Sequence, residues 1–174
     1  MTTDSQNDHD ADRKLDQGEA ETRLWDAMEK RRIGMLGPAE GGQHFQPMTA
    51  FVERDTGQIY FFAYADSDLA ALIGAGAPAM FVFQDDDDLY ACIEGRLSPD
   101  ADRSRMDRYW SPMVAAWYPE GKDDPRLTLL RLDCDDAQVW ITKAGPVRFA
   151  WEVAKANARH ERPDLGGQTR LDLH

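Results

Sequence analysis

The residues best suited to chemistry lie in two neighbouring segments, Gln46-Pro47-Met48-Thr49-Ala50 and Tyr60-Phe61-Phe62-Ala63. Both read as strands. Proline has no N–H to give to a ladder, so Pro47 belongs at an edge or a bulge, where adjoining backbone groups are left without strand partners. Free backbone groups around Met48 and Thr49 could recognise the polar edge of a flat heterocycle, with Phe61, Phe62 and the tryptophans as apolar walls. The same residues also fit an edge strand whose aromatics are ordinary core. On the residues alone both readings stand.

Other chemistry finds little support. The chain has no G-x-S-x-G elbow, Walker A loop, G-x-G-x-x-G, H-E-x-x-H, or H-x-E with C-x-x-C. His9, His44, His160 and His174 are scattered, so no metal site is expected. The run Asp85 to Asp88 has the oxygens for a divalent cation but neither the EF-hand spacing nor its closing glutamate, and it reads as a solvated turn. Cys92 and Cys134 form no disulfide framework, which suits a reducing compartment. Cys92 falls on the face opposite Ala91 and Ile93 and reads as a small packing residue.

The elements that must position these residues belong to a chain of 174 residues with 32 acidic and 20 basic side chains, a formal charge of −12. That is one domain, large enough to bury a full core. The negative balance repels phosphate backbones, so nucleic acid is not an expected partner. Met1 to Ala20 has no apolar h-region and no run of 18 apolar residues occurs, so neither secretion nor a membrane span is expected and the reading is cytoplasmic. Residues 1–18 read as a disordered acidic lead, 19–158 as the folded domain and 159–174 as an arm or tail.

Within the domain, a first helix is expected from Glu21 behind Thr22. Strands follow at 33–36, 44–54 and 58–62, the last two as a hairpin through Asp55-Thr56-Gly57. A helix capped by Asp66 precedes Ala79 to Phe83, which is apolar throughout and reads as a strand covered on both faces. Leu89 to Leu97 alternates as a half-buried strand. A helix begins at Pro99-Asp100, then strands 127–133 and 138–142 are joined by an Asp135-Asp136 turn. A last helix opens at Pro146, with Val147, Trp151, Ala154 and Ala158 on one stripe. About seven strands and four short helices, linked by hairpins, predict an α+β, mainly antiparallel sheet or barrel.

Several of these segments resemble the pyridoxamine-phosphate-oxidase-like split barrels that bind FMN. They are Leu24-Trp25, Met35-Leu36, Pro47-Met48, Tyr60-Phe61-Phe62 and Ile93-Glu94-Gly95. The general stress protein branch of that family is the nearest likeness, carried by Tyr109-Trp110-Ser111-Pro112, the run Ala116 to Pro125 containing Trp-Tyr-Pro-Glu-Gly, Leu127 to Arg131, and Ala137 to Trp140. The resemblance implies a six-stranded Greek-key split barrel, a homodimer and flavin sites at the dimer interface. It implies that Pro47 to Thr49 face the isoalloxazine, that Phe62-Ala63 and the Ser67 region approach the phosphate, that Trp140 and Trp110 border the ring, and that Tyr90 lies near it. It also implies a reductase or oxidase in which the flavin does the redox chemistry and no residue acts as acid, base or nucleophile.

Two positions depart from that pattern: Gln46 stands where relatives carry Arg before Pro-Met, and Leu69, preceded by Asp68, where they carry Lys or Arg. A phosphate is normally held by Arg forks, Lys or a helix N-terminus. Arg31, Arg32 or His44, or Arg131 or Arg148 of the partner subunit, are the candidate replacements. The alternative reading is a cofactor-free split barrel that binds a neutral aromatic ligand. Trp25 and Trp151 read as core or dimer contacts, and Glu94 as a structural hydrogen-bonding residue.

Overall fold

A computed structural model describes residues 13–41, 43–86, 88–142, 146–159 and 166–174. Order begins earlier than expected. Arg13–Lys14 form a short strand, β1, and the first helix, α1, is Gln17–Arg31 rather than a helix from Glu21. Asp16, not Thr22, caps it by accepting the Glu19 N–H at 2.8 Å. Ala20, Leu24, Ala27 and Met28 are buried at three- and four-residue intervals, with Trp25 beside them, so this stripe docks α1 on the sheet. Of the expected acidic lead, residues 1–12 lie outside the described residues.

The strands that follow are β2 (Ile33–Pro38), β3 (Gln46–Thr49), β4 (Phe51–Glu53), β5 (Gln58–Tyr64), β6 (Ala77–Gln84), β7 (Leu89–Asp100), β8 (Leu127–Thr142) and β9 (Gly166–Asp172). Helices α2 (Asp68–Ile73), α3 (Arg103–Tyr109), α4 (Pro112–Ala115) and α5 (Pro146–Arg159) lie between them. The hydrogen-bonded order is β1-β9-β8-β7-β6-β2-β3, with β5 between β4 and the lower half of β8. Apart from β1 on β9, the pairings are antiparallel. β3 and β4 are two arms of one segment bent at Ala50: the first arm pairs with β2 and the second with β5. That bend links the ends of the path β2-β6-β7-β8-β5, so the sheet curls into a split barrel.

Among the described residues the sheet has nine strands, not six. The excess comes from the split of β3 from β4 and from β1 and β9, which extend it beyond β8. The expected turn at Asp135-Asp136 is instead a bulge inside one continuous strand, because β7 shifts register by one residue between Glu94 and Gly95. The helix caps also move: Ser67 rather than Asp66 caps α2, and Asp102 caps α3, which starts after Pro99-Asp100. β6 is not covered on both faces, since its residues alternate between buried and open. On α5 the expected stripe faces outward. Trp151, Ala154 and Ala158 are exposed and Glu152 and Ala156 are buried, while the side chain of Val147 lies outside the described residues.

Two apolar clusters result. The barrel interior joins Leu36, Phe61, Phe81, Phe83, Ile93 and Val139 to the α1 stripe. The second lies under α3 and α4 and holds Phe51, Tyr60, Phe62, Met106, Val114 and Leu129, with Tyr109, Trp110 and Tyr118 packed against it. Burial pushes the Tyr60 phenol up to about 12, with Glu53 adding to the rise. Burial also pushes Tyr118 up to about 12, with Tyr64 adding. The folded chain therefore keeps these phenols neutral while the unfolded chain ionises them near 10. The stability tied to them is whole below pH 10 and lost as pH rises through 12. Melting temperature measured against pH is expected to fall across that window, and the Tyr60→Phe, Tyr118→Phe double variant to flatten the fall.

Candidate functional site

The register of the curled sheet sorts the expected site residues by face. Directly paired residues of an antiparallel ladder share a face. Pro47 pairs with Met35, Met35 with Val82, Val82 with Cys92 and Cys92 with Gln138, which makes one row. Thr49 pairs with Ile33, and further along the same face Gln84, Tyr90 and Trp140 pair in line. This face is the outer one, because Leu36, Phe81, Phe83, Ala91 and Val139 alternate with it into the core. It stays open: Ile33, Met35, Val82, Tyr90 and Trp140 are exposed large side chains, Trp140 at 41%. Pro47 lies on an edge strand, since β3 pairs with β2 alone among the described residues. Met48 alternates the other way and packs on the core.

The remaining candidates lie elsewhere. Phe61 is wholly buried in the barrel, tilted against Phe81 with ring centres 5.2 Å apart, and is no wall of an open site. Phe62 belongs to the second cluster, edge-on to Trp110 at 5.8 Å. Its carbonyl accepts the Tyr118 hydroxyl at 2.7 Å. Ala63 is buried beside it.

A bound flavin needs a flat apolar wall, a polar backbone edge and a place for its phosphate. The open outer face and the edge strand Pro47 to Thr49 fit the ring. The expected phosphate contacts do not fit. Gln46 reaches only the Met48 sulfur, at 3.8 Å. Leu69 is buried in the barrel core with Ile73, so it is not an exposed position that merely lacks a charge. The Ser67 hydroxyl already caps the Ala70 N–H at 3.3 Å.

The candidate replacement cations are also largely committed. Arg31 pairs with Asp85 and Asp86 of the acidic turn, which Arg23 reinforces through Asp88 at 2.8 Å. That turn is therefore strapped to α1 rather than simply solvated. Arg131 pairs with Asp133 at 3.0 Å, and the side chain of Arg148 lies outside the described residues. Arg32 differs. Its side chain has no carboxylate partner among the described residues and donates only to the Glu29 carbonyl, at 3.2 Å.

Arg32 lines a groove of about 540 Å³ together with Glu29, Ala50, Phe51, Val52, Arg108, Tyr109, Trp110 and Ser111. The volume falls within the roughly 300–1,000 Å³ usual for small-molecule sites. Phe51 and Tyr109 stack at 4.9 Å along it. Arg108 and the Tyr109 hydroxyl both donate to Glu53 Oε1, at 2.9 and 2.6 Å. Sequence reasoning named Arg32 and Trp110 but missed the groove, whose walls come from the end of α1, the β3–β4 bend and the end of α3. It also missed Met35 and Val82, although their alternation was the available signal.

The other residues singled out divide, and the structural hydrogen bond expected of Glu94 is not found among the described residues. Cys92 is half-buried, its thiol 3.8 Å from the Met80 sulfur, and burial raises its pKa above the usual thiol value. Glu94 itself is exposed. Trp25 is core, whereas Trp151 is 67% exposed. Among the described residues no group of three or more His, Cys, Asp or Glu is placed to hold a metal ion, and no helix is long and apolar enough to cross a membrane.

Comparison with known proteins fits this geometry. The family model for "Pyridoxamine 5'-phosphate oxidase like" proteins matches residues 19–164. Among solved structures, a general stress protein 26 of Jannaschia sp. CCS1 is 36% identical with a TM-score of 0.74, covering 89% of this chain and 99% of that one. A general stress family protein of Xanthomonas campestris pv. campestris is 42% identical with a TM-score of 0.68, covering 75% and 92%. The general stress FMN/FAD binding protein of Xanthomonas citri is also 42% identical with a TM-score of 0.68, covering 74% and 92%. No curated protein matches the chain. With the split barrel, the Pro47 edge strand and these relatives together, the chain belongs to the pyridoxamine 5'-phosphate oxidase like family, in its general stress protein branch.

Proposed function

We propose that two copies of this chain pack through the open outer face and hold a flavin, FMN or a phosphate-poor relative, against the Pro47 to Thr49 edge. The observation that carries this reading is the row of exposed apolar side chains Ile33, Met35, Val82, Tyr90 and Trp140, which share one face of the sheet beside that edge. A contiguous apolar patch of this kind marks a binding surface. The Xanthomonas citri relative, a general stress FMN/FAD binding protein, supports the ligand class. Bound there, the flavin would supply hydride or electron transfer. The backbone of Met48 and Thr49 would orient its polar edge, and Tyr90 and Trp140 would exclude water from its faces, whereas Trp110 packs on the second cluster.

Gln46 and the buried Leu69 favour a weak hold on the phosphate. Titrations of the purified chain with FMN and with riboflavin, followed by flavin fluorescence quenching and by sedimentation, are the test. The expected result is a dimer that quenches both flavins with affinities within about tenfold of each other, since no charge-assisted phosphate bond separates them. A monomer that quenches neither at micromolar flavin would overturn the reading and leave the cofactor-free binding module, which Gln46 and Leu69 equally favour.

A further inference from the structure

We infer that the groove beside Arg32 is a second ligand site, built for a flat aromatic molecule carrying a single negative charge, an aromatic carboxylate. It stands apart from the flavin reading, because the groove is complete within one chain.

The first argument is the placement of Arg32. It is the described non-glycine residue with positive φ, at 58°, and it ends α1 in the left-handed region. A glycine is the unstrained choice at such a helix end, and a side chain there costs roughly 1 kcal/mol or more. The backbone is held in this shape from both sides: the Arg32 N–H donates to the Met28 carbonyl at 3.0 Å and its own carbonyl accepts the Ala50 N–H at 2.6 Å. A strained residue persists where its surroundings over-determine it, which is common at ligand sites. What the strain positions here is a guanidinium 5.6 Å above the Phe51 ring.

The second argument is what surrounds that guanidinium. Phe51, Tyr109 and Trp110 provide flat walls, and Ser111, whose hydroxyl caps α4 by accepting the Val114 N–H at 3.3 Å, completes the lining. An exposed cation beside aromatic walls is suited to a planar anion, because guanidinium and carboxylate pair through two parallel hydrogen bonds while the ring stacks alongside.

The third argument sets the charge. Arg32 and Arg108 are positive, but Arg108 is tied to Glu53, and the Glu29 carboxylate stands on the same wall. These four side chains cancel, so the groove is neutral and opposes an occupant with two negative charges more than one with a single charge paired to Arg32. A phosphate monoester, near −2, is therefore a worse occupant than a carboxylate.

The test is calorimetric titration of the full chain with 2-naphthoate, 2-naphthamide and 2-naphthyl phosphate. The unsubstituted chain is expected to bind naphthoate at least about tenfold more tightly than the neutral amide, the factor of one charge-assisted hydrogen bond. Naphthyl phosphate should bind no more tightly than naphthoate. Arg32→Gly removes the guanidinium and relieves the backbone, so it should melt no lower than the parent while losing the naphthoate preference and keeping amide binding. Arg32→Lys should retain part of the preference. Equal binding of naphthoate and amide, a preference that survives Arg32→Gly, or no binding of any probe at millimolar concentration would overturn the proposal. Tighter binding of the phosphate would overturn the single-charge assignment.

Discussion

Gln46→Arg is expected to tighten FMN binding by about 10- to 100-fold while riboflavin affinity changes by no more than about twofold, because one charge-assisted bond to a phosphate contributes roughly 1.5–3 kcal/mol. Gln46 is exposed, at the start of an edge strand, with only a sulfur contact to give up. A longer cationic side chain fits there without repacking. Leu69→Lys, the other substitution that restores the family pattern, should do the opposite. Leu69 is 4% exposed and packs with Ile73 in the barrel core. A lysine there must either lose its proton or open α2, so the variant should unfold or melt far below the parent. Parallel FMN and riboflavin titrations of each variant, with thermal melts, check both outcomes. Gain with both flavins alike would show that residue 46 acts on the ring and not on the phosphate.

The second large effect is on stability. Gly95→Ala should cost at least about 3 kcal/mol, at the upper end of overpacking substitutions. A Cβ built on Gly95 would lie 2.1 Å from the carbonyl oxygen of Asp133 and 3.0 Å from the Cα of Cys134. Both are backbone atoms of the partner strand and cannot swing aside as a side chain would. Gly95 is also where β7 and β8 slip by one residue, so relieving the clash means unpicking the bulge that bends both strands. In a domain of this size the melting temperature should drop by about 6–12 °C, at roughly 2–4 °C per kcal/mol. Gly41→Ala is the control: a Cβ there meets nothing within 4 Å, so only the backbone strain of its positive φ is added and no steric clash.

The strands were the most legible part of the fold because their signals are local. Leu89 to Leu97 alternates in sequence as it does in burial, and Pro47 announces an edge by the donor it lacks. The start of α1 was legible too, through Asp16 followed three residues later by Glu19, but the pair sits inside an acidic stretch that masks it. Asp135-Asp136 looks like a turn because two aspartates usually face solvent; a bulge meets the same need without ending the strand. β9 reads as part of an arm in sequence, since Gly166 to Asp172 is mostly polar, although Thr169 and Leu171 alternate inward. The outer face could be read from period-two alternation once the register was known. The groove could not, since Arg32, Phe51 and Arg108 come from three elements with no shared periodicity and meet only through tertiary packing.

The length of β8 bears on how the chain reaches this fold. Its upper half joins β7 and β9, while its lower half joins β7 and β5, so a single strand serves both parts of the barrel. The β5 partners are about twice as distant in sequence from β8 as the β7 partners. Doubling a loop adds only about 0.6 kcal/mol of closure entropy, too little to matter at equilibrium. It matters for order of assembly, because non-local pairings form late and slow the search. Of the two neighbours of its lower half, β8 should therefore pair with β7 first, with β5 and the second aromatic cluster joining afterwards. Substitutions at Val139 or Ile93 should then slow refolding, and those at Phe62 or Leu129 should mainly quicken unfolding.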